Sequence, residues 1–138
     1  MTLSLVEANS IMDAAINKAR QLNMKVSVAI CDRTGSLIAL NRMDGSYETV
    51  NWYSIGKAVV SAGTGLPSNE VVGIPDHPPV ATDVAAGVPA IRIRGGLPIR
   101  RGGKIEGGCG VAGAPSPEQD EECARAGIAV FQHHDGGR

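Results

Sequence analysis

Apolar residues recur every three or four positions near the start of the chain: Ala8, Ile11, Met12, Ala15, Ile16, Ala19 and Leu22. That spacing lays them on one stripe of a helix, with Asn9, Asp13, Asn17, Lys18 and Arg20 mostly off it. Ser4-Leu-Val-Glu7 has the form of a capping box, so the pattern predicts a helix from about Leu5 to Asn23. The period then shortens. Lys25 to Cys31 and Ser36 to Arg42 are rich in β-branched and aliphatic residues, and Asp32-Arg-Thr-Gly35 between them is turn chemistry. These stretches predict a first β-hairpin. Met43-Asp-Gly-Ser46 breaks the pattern as a loop.

A second helix is expected from a cap at Thr49 to about Ala62, with Val50, Tyr53, Ile55, Ala58, Val59 and Ala62 on its buried side. Pro67-Ser-Asn-Glu70 can start a short helix capped by Ser68 or Asn69. Three prolines between Gly73 and Pro79 exclude regular structure there, and Thr82 to Ala86 is too short to assign. Ala90-Ile-Arg-Ile-Arg94 alternates apolar and charged residues, as a half-exposed strand does. Leu97 to Arg101 and Lys104 to Glu106 flank Gly102-Gly103, a two-residue hairpin signal, and Gly107 to Gly113 continues as a strand almost without side chains. Ser116-Pro-Glu-Gln119 is another capping box, ahead of a last helix marked by Cys123, Ala124, Gly127, Ile128 and Phe131. Residues from His133 to Arg138 are expected to fray. Segregated hairpins of this kind predict an α+β domain with an antiparallel sheet of about five strands flanked by helices.

Composition narrows the chemistry. The 138 residues suit one domain with its own core. Aromatics are only 3%, namely Tyr47, Trp52, Tyr53 and Phe131, so the core must be aliphatic. With 13 basic and 14 acidic residues the chain has no basic field to hold a phosphate backbone, which excludes nucleic acid as the expected partner. No apolar run is long enough to span a membrane, and MTLSLVEANS lacks the basic and apolar regions of a secretory signal, so a cytoplasmic location is expected. Cys31, Cys109 and Cys123 have no Cys-x-x-Cys spacing and read as reduced, mostly buried thiols. No His/Cys/Asp/Glu spacing resembles a zinc site.

Several features carry two readings. The run Gly107–Gly113, with Gly95-Gly96, strips side chains from neighbouring strand positions. A bare backbone there permits close approach either by a ligand, with Gly95, Gly96 and Gly108 as its floor, or by a packed helix or subunit. Arg92 and Arg94 fall on one face of the expected strand and suit an anion such as a carboxylate; Arg100 and Arg101 beside the turn read as solvated. Cys109 is a nucleophile only if something lowers its pKa, and the sequence supplies no such group. Tyr53-Ser-Ile-Gly-Lys57 has the Tyr-x-x-x-Lys spacing of short-chain dehydrogenases, but the chain is too short for that class and lacks its glycine fingerprint. Lys57 could still position an anion or pair with Asp44. Asp44, Glu48 and Tyr53 are acid–base candidates, and His77 is either a ligand or a surface loop residue.

Taken together, Val26-Ser-Val-Ala-Ile-Cys-Asp32, Arg42-Met-Asp-Gly45, Gly56-Lys-Ala58, Gly95-Gly-Leu-Pro-Ile99, Gly107-Gly-Cys-Gly-Val-Ala-Gly-Ala114, Asp120-Glu and Ala124-Arg-Ala-Gly127 resemble the GlcG/HbpS family in content and order, from about Ser4 to Ala129. The resemblance implies a profilin-like sheet and homo-oligomers, dimers or larger assemblies such as octamers. Its members include haem-binding proteins linked to redox sensing, the protein of the glycolate-use operon and the C-terminal part of PduO adenosyltransferases. It also implies that Ser68 stands roughly where haem-binding relatives offer a hydroxyl near the iron. Three functions follow as alternatives. The first is a binder of a small anionic ligand, with haem as the cofactor candidate and Arg92, Arg94, Ser68, His77, Gly95, Gly96, Gly108 and Cys109 around it. The second is a cofactor-independent lyase or isomerase in which Arg94 or Lys57 holds a carboxylate and Asp44 or Tyr53 moves a proton. The third is an oligomeric sensor or partner domain with no small-molecule chemistry.

Overall fold

A computed structural model of the chain describes residues 2–71 and 90–134. Helix α1 spans Leu5–Gln21, and its capping box is formed in full: the Ser4 hydroxyl accepts from the Glu7 amide (3.0 Å) and the Glu7 carboxylate accepts from the Ser4 amide (2.9 Å). Its buried stripe is Ala8, Ile11, Met12, Ala15, Ile16 and Ala19. The helix stops because Asn23 takes a left-handed conformation (φ 56°). The Asn23 amide then reaches the Arg20 carbonyl and the Met24 amide reaches that of Ala19, a Schellman closure. The chain therefore turns sharply between Arg20 and Lys25.

Strands β1 (Ser27–Asp32) and β2 (Leu37–Arg42) form the first hairpin, closed by the Asp32 carboxylate, which accepts from the Thr34 amide and hydroxyl and from the Ser36 amide. Helix α2 is Val50–Thr64, followed by a 3-10 turn at Ser68–Val71. Strands β3 (Gly96–Arg101) and β4 (Lys104–Ala112) form the second hairpin, and helix α3 (Pro117–His134) ends the described chain. The sheet is antiparallel throughout in the order β2-β1-β4-β3. This is the α+β architecture expected, with four strands in place of five.

The difference lies at Ala90–Arg94, which is not a strand. Its backbone finds other partners: the Ile91 amide donates to the Gly56 carbonyl of α2, and the Ile93 carbonyl accepts from the Ser68 hydroxyl. Alternation of apolar and charged residues thus marked a segment strapped between the middle of α2 and the 3-10 turn. Lys104–Glu106 and the glycine run are one continuous strand, β4. Thr49 has helical dihedrals and makes no side-chain cap, and α2 ends instead at Gly65 in the left-handed region. Helix α3 continues through His134, two residues into the stretch expected to fray. Ser116 caps α3 by accepting from the Gln119 amide (3.3 Å), and its hydroxyl is itself held by the Gln119 side chain.

The sheet is a middle layer. Val26, Val28, Ile30, Leu97, Ile99, Cys109 and Val111 pack with α1 and α3 into the main core. The opposite face is built from small residues, Ala29 and Cys31 with Gly108 and Gly110, and α2 lies directly on it. A Cβ on Gly108 would stand 2.0 Å from the Ala58 carbonyl oxygen, one on Gly110 2.0 Å from that of Ser54, and one on Gly96 2.4 Å from that of Lys57. The glycines therefore serve helix-on-sheet packing, the second of the two readings their bareness allowed. Pro98 needs no amide partner because β3 is an edge strand. On the other side Arg101 of β3 holds Glu7 of α1 through two bonds (3.0 and 2.8 Å) and lies 5.2 Å over the Phe131 ring of α3.

Two outcomes follow. Gly108→Ala forces α2 off the sheet, and chemical denaturation should show a loss of about 3 kcal/mol, the upper range for overpacking. The Arg101 guanidinium holds the Glu7 carboxyl down at about 2, below its ordinary 4.5. A depressed carboxyl stabilises the fold above its ordinary value and gives that up as pH falls through the window from 4.5 to about 2. Thermal melts across this window should show a shallower acid loss for Glu7→Gln than for the parent.

Candidate functional site

Lys57, Ser68, Gly95 and Gly96 converge on one buried corner, where α2, the end of β4, the start of α3 and the segment 90–95 meet. Lys57 enters it from α2 and is 3% exposed. Its ammonium donates to the Val111 carbonyl (2.9 Å) and to an Asp120 oxygen (3.2 Å). The other Asp120 oxygen accepts from the Ala114 amide (2.9 Å). Burial pushes the Asp120 carboxyl up and the Lys57 ammonium down, and the opposite charge of each partner pulls back. The expected pairing of Lys57 with Asp44 is therefore corrected: its carboxylate partner is Asp120, and Asp44 is an exposed loop residue.

Gly95 (φ 134°) closes the same corner, since a Cβ there would lie 2.6 Å from the Val111 carbonyl oxygen and 2.8 Å from the Lys57 ammonium. Ser68 is fully buried. Its hydroxyl donates to the Ile93 carbonyl and accepts from the Gly96 amide (2.9 Å), so it ties the segment 90–96 to the 3-10 turn and does not cap that turn. Arg94 bonds Glu121 (2.9 Å), which also takes Arg125 (2.8 Å). Arg92 is half-buried on the irregular segment and shares no strand face with Arg94. Cys109 points into the main core, where burial pushes its thiol up to about 12, and Cys123 of the same core is raised to about 11. Neither supplies a thiolate near neutral pH. Tyr53 is exposed on α2. His77 lies outside the described residues. Among those described, no group of His, Cys, Asp or Glu is placed to hold a metal ion.

An open site exists elsewhere. A groove of about 430 Å³ runs between the end of α1 and the outer end of β2, lined by Ile16, Arg20, Lys25, Leu40, Asn41, Arg42, Met43 and Asp44. Three cations from three chain segments face it, and none makes an ion pair among the described residues. The frame under them is fixed. The Met43 amide donates to the Val26 carbonyl (2.9 Å), the Ser46 hydroxyl donates to the Met43 carbonyl (2.7 Å), and the Lys25 stem lies over Gly45, a Cβ on which would meet it at 3.5 Å. Among the described residues Asp44 is the only acid in the lining. Of these residues the sequence names Asp44 as an acid–base candidate and sets Arg20 mostly off the apolar stripe of its helix. The signal that could have joined them was the string Arg42-Met-Asp-Gly45, together with an asparagine helix end that folds Arg20 back towards Lys25.

The chain matches the family described as haem-degrading protein HbpS-like over residues 3–129. It belongs to that family. A double mutant of HbpS from Streptomyces reticuli is 32% identical, with a TM-score of 0.82 over 95% of this chain and 88% of that one. A PduOC:haem complex is 25% identical, with a TM-score of 0.79 over 94% of this chain and 95% of the other. An uncharacterized 15.0 kDa protein encoded between dhaT and dhaS in Citrobacter freundii is 26% identical over 132 residues, 94% of this chain and 92% of its own.

Tested against haem, the groove of this HbpS-like chain fits one end of the molecule. Arg20, Lys25 and Arg42 suit propionate carboxylates, and Ile16, Leu40 and Met43 offer an apolar strip. Among the described residues the lining holds no histidine or cysteine, and the Met43 sulfur faces the Val26 amide (3.5 Å).

The buried corner makes its own prediction. Lys57→Met leaves the Asp120 carboxylate without its cation and should cost about 3–5 kcal/mol in denaturant unfolding. Asp120 then takes a proton readily in the folded state, so the deficit should shrink as pH is lowered, and Lys57→Met with Asp120→Leu should recover much of the loss.

Proposed function

We propose that this HbpS-like chain binds a small anionic ligand in the groove between α1 and β2, with haem as the named candidate. The observation that carries the reading is the convergence of Arg20, Lys25 and Arg42, none of them ion-paired among the described residues, on a cavity of about 430 Å³. Pockets for small molecules commonly have volumes of this order. Guanidinium groups grip carboxylates through two parallel bonds, and an ammonium adds a point charge. The family description names haem degradation, and one similar structure is a haem complex, which supports haem as the first ligand to try. The catalytic reading is weaker on this geometry, because Lys57 is spent on Asp120 and the Cys109 thiol stays protonated. We also propose a homo-oligomer. Tyr47, Trp52 and Tyr53, three of the four aromatic residues, are exposed close together in sequence, an unusual allocation for a chain so poor in them.

Haem titration of the purified protein tests the binding reading. The expected result is a Soret shift that saturates near one haem per chain and weakens about tenfold or more in Arg42→Met and in Arg20→Met. Small organic acids should raise the melting temperature of the parent and lose that effect in the same variants. If haem gives no shift and no anion raises the melting temperature, the proposal fails.

A further inference from the structure

The groove holds more information than its sign. Among the described residues, three positive side chains against the single carboxylate of Asp44 leave the lining a net charge of +2, which a dianion neutralises. Asp44 also restricts what can lie beside it. An ionised carboxylate only accepts hydrogen bonds, so it repels an anionic group and rewards a hydroxyl. The loop that carries it is pinned by the Met43 amide on Val26 and by the Ser46 hydroxyl on Met43, so the carboxylate is presented from a fixed turn. Asn41, on the same strand end, adds an amide that can both donate and accept. The carbonyls that close α1 beside the groove, those of Lys18, Ala19 and Arg20, are each bonded to the amides of Leu22, Met24 and Asn23, so the negative end of the helix is satisfied locally.

We infer that the groove selects a compact dianion bearing a hydroxyl group, with Asp44 as the residue that reads the hydroxyl. This rests on the reading of the groove as an anion site and names a ligand class other than haem for it. The dianion bridges Arg20, Lys25 and Arg42, and its hydroxyl donates to the Asp44 carboxylate. Two sources share this chemistry, a hydroxy-dicarboxylate and a hydroxylated phosphate ester. Haem, with two propionates and no hydroxyl, gains nothing from Asp44.

Calorimetric titration of the intact chain with L-malate, succinate, L-aspartate and glycerol 3-phosphate tests the inference. Malate should bind about tenfold more tightly than succinate, the ratio expected from one hydrogen bond to a charged acceptor. Aspartate, with one net charge less, should bind more weakly than malate. If glycerol 3-phosphate binds more tightly than malate, the inference holds with a phosphate ester as the source. Asp44→Asn should bring the malate-to-succinate ratio close to one while succinate binding is kept or improved, and Arg42→Met should weaken both. Asp44 is exposed, so its variant should melt within a few degrees of the parent and read binding alone. A parent ratio at or below one, or a ratio unchanged in Asp44→Asn, overturns the hydroxyl assignment. If that happens while succinate or haem still binds and depends on Arg42, the binding reading survives. If no dianion binds and haem does not bind, both are overturned.

Discussion

The backbone of α2 touches the backbone of the sheet, and most of the structure follows from that contact. The carbonyls of Ser54 and Ala58 occupy the places that side chains would take at Gly110 and Gly108, and that of Lys57 does so at Gly96. Packed interiors leave no slack at such distances, so these strand positions admit no Cβ. A helix this deep cannot turn all of its polar groups to water. Lys57 is carried inside, and an ammonium in the interior requires a carboxylate and further acceptors. Asp120 and the Val111 carbonyl supply them. The Ala114 amide then satisfies the remaining Asp120 oxygen, which ties the end of β4 to the first turn of α3.

The same constraint decides where ligand chemistry can sit. Gly95, Gly96, Ser68 and Lys57 are bound to one another or to the backbone around them, and the charges in that corner are matched internally. A residue already bonded on every side holds the fold and offers little to a guest. The groove beyond β2 is the contrary case. It forms where α1 stops and the loop after β2 turns back, so its lining belongs to chain ends held by backbone bonds, while its cations make no ion pair among the described residues and Arg20 donates only to the neutral Asn17 side chain (3.1 Å).

The architecture was largely legible in the sequence because its signals are local. The Ser4–Glu7 box, the stripe from Ala8 to Ala19, the Asp32–Gly35 turn and the Gly102-Gly103 hairpin depend on neighbours within a few residues, and each formed. The segment 90–94 was misread for the opposite reason. Its alternation is local, but its hydrogen-bond partners, Gly56 and Ser68, lie far away in sequence. Lys57 failed in the same way: the loop acid Asp44 was near in sequence, whereas Asp120, the partner it meets, is 63 residues away. Glycines in a strand allow either a ligand or a helix to approach, and composition could not choose between them. The groove was missed because its cations lie in a helix, in the connection ahead of β1 and at a strand end, each with an ordinary solvated reading until the fold joins them.

Exposed charges also limit how the groove can work. In water a single ion pair at contact is worth about 1 kcal/mol, and salt weakens it further. Three separate cations on floppy supports would therefore hold an anion poorly, because each side chain must be immobilised on binding. The Schellman turn at Asn23, the Met43 bond to Val26 and the Lys25 stem across Gly45 reduce that cost by fixing the supports beforehand. Selectivity then depends less on net charge than on where donors and acceptors stand. A ligand that satisfies the cations but presents another acceptor to Asp44 loses on one side what it gains on the other, which makes this loop carboxylate, and not the arginines, the residue that distinguishes one anion from the next.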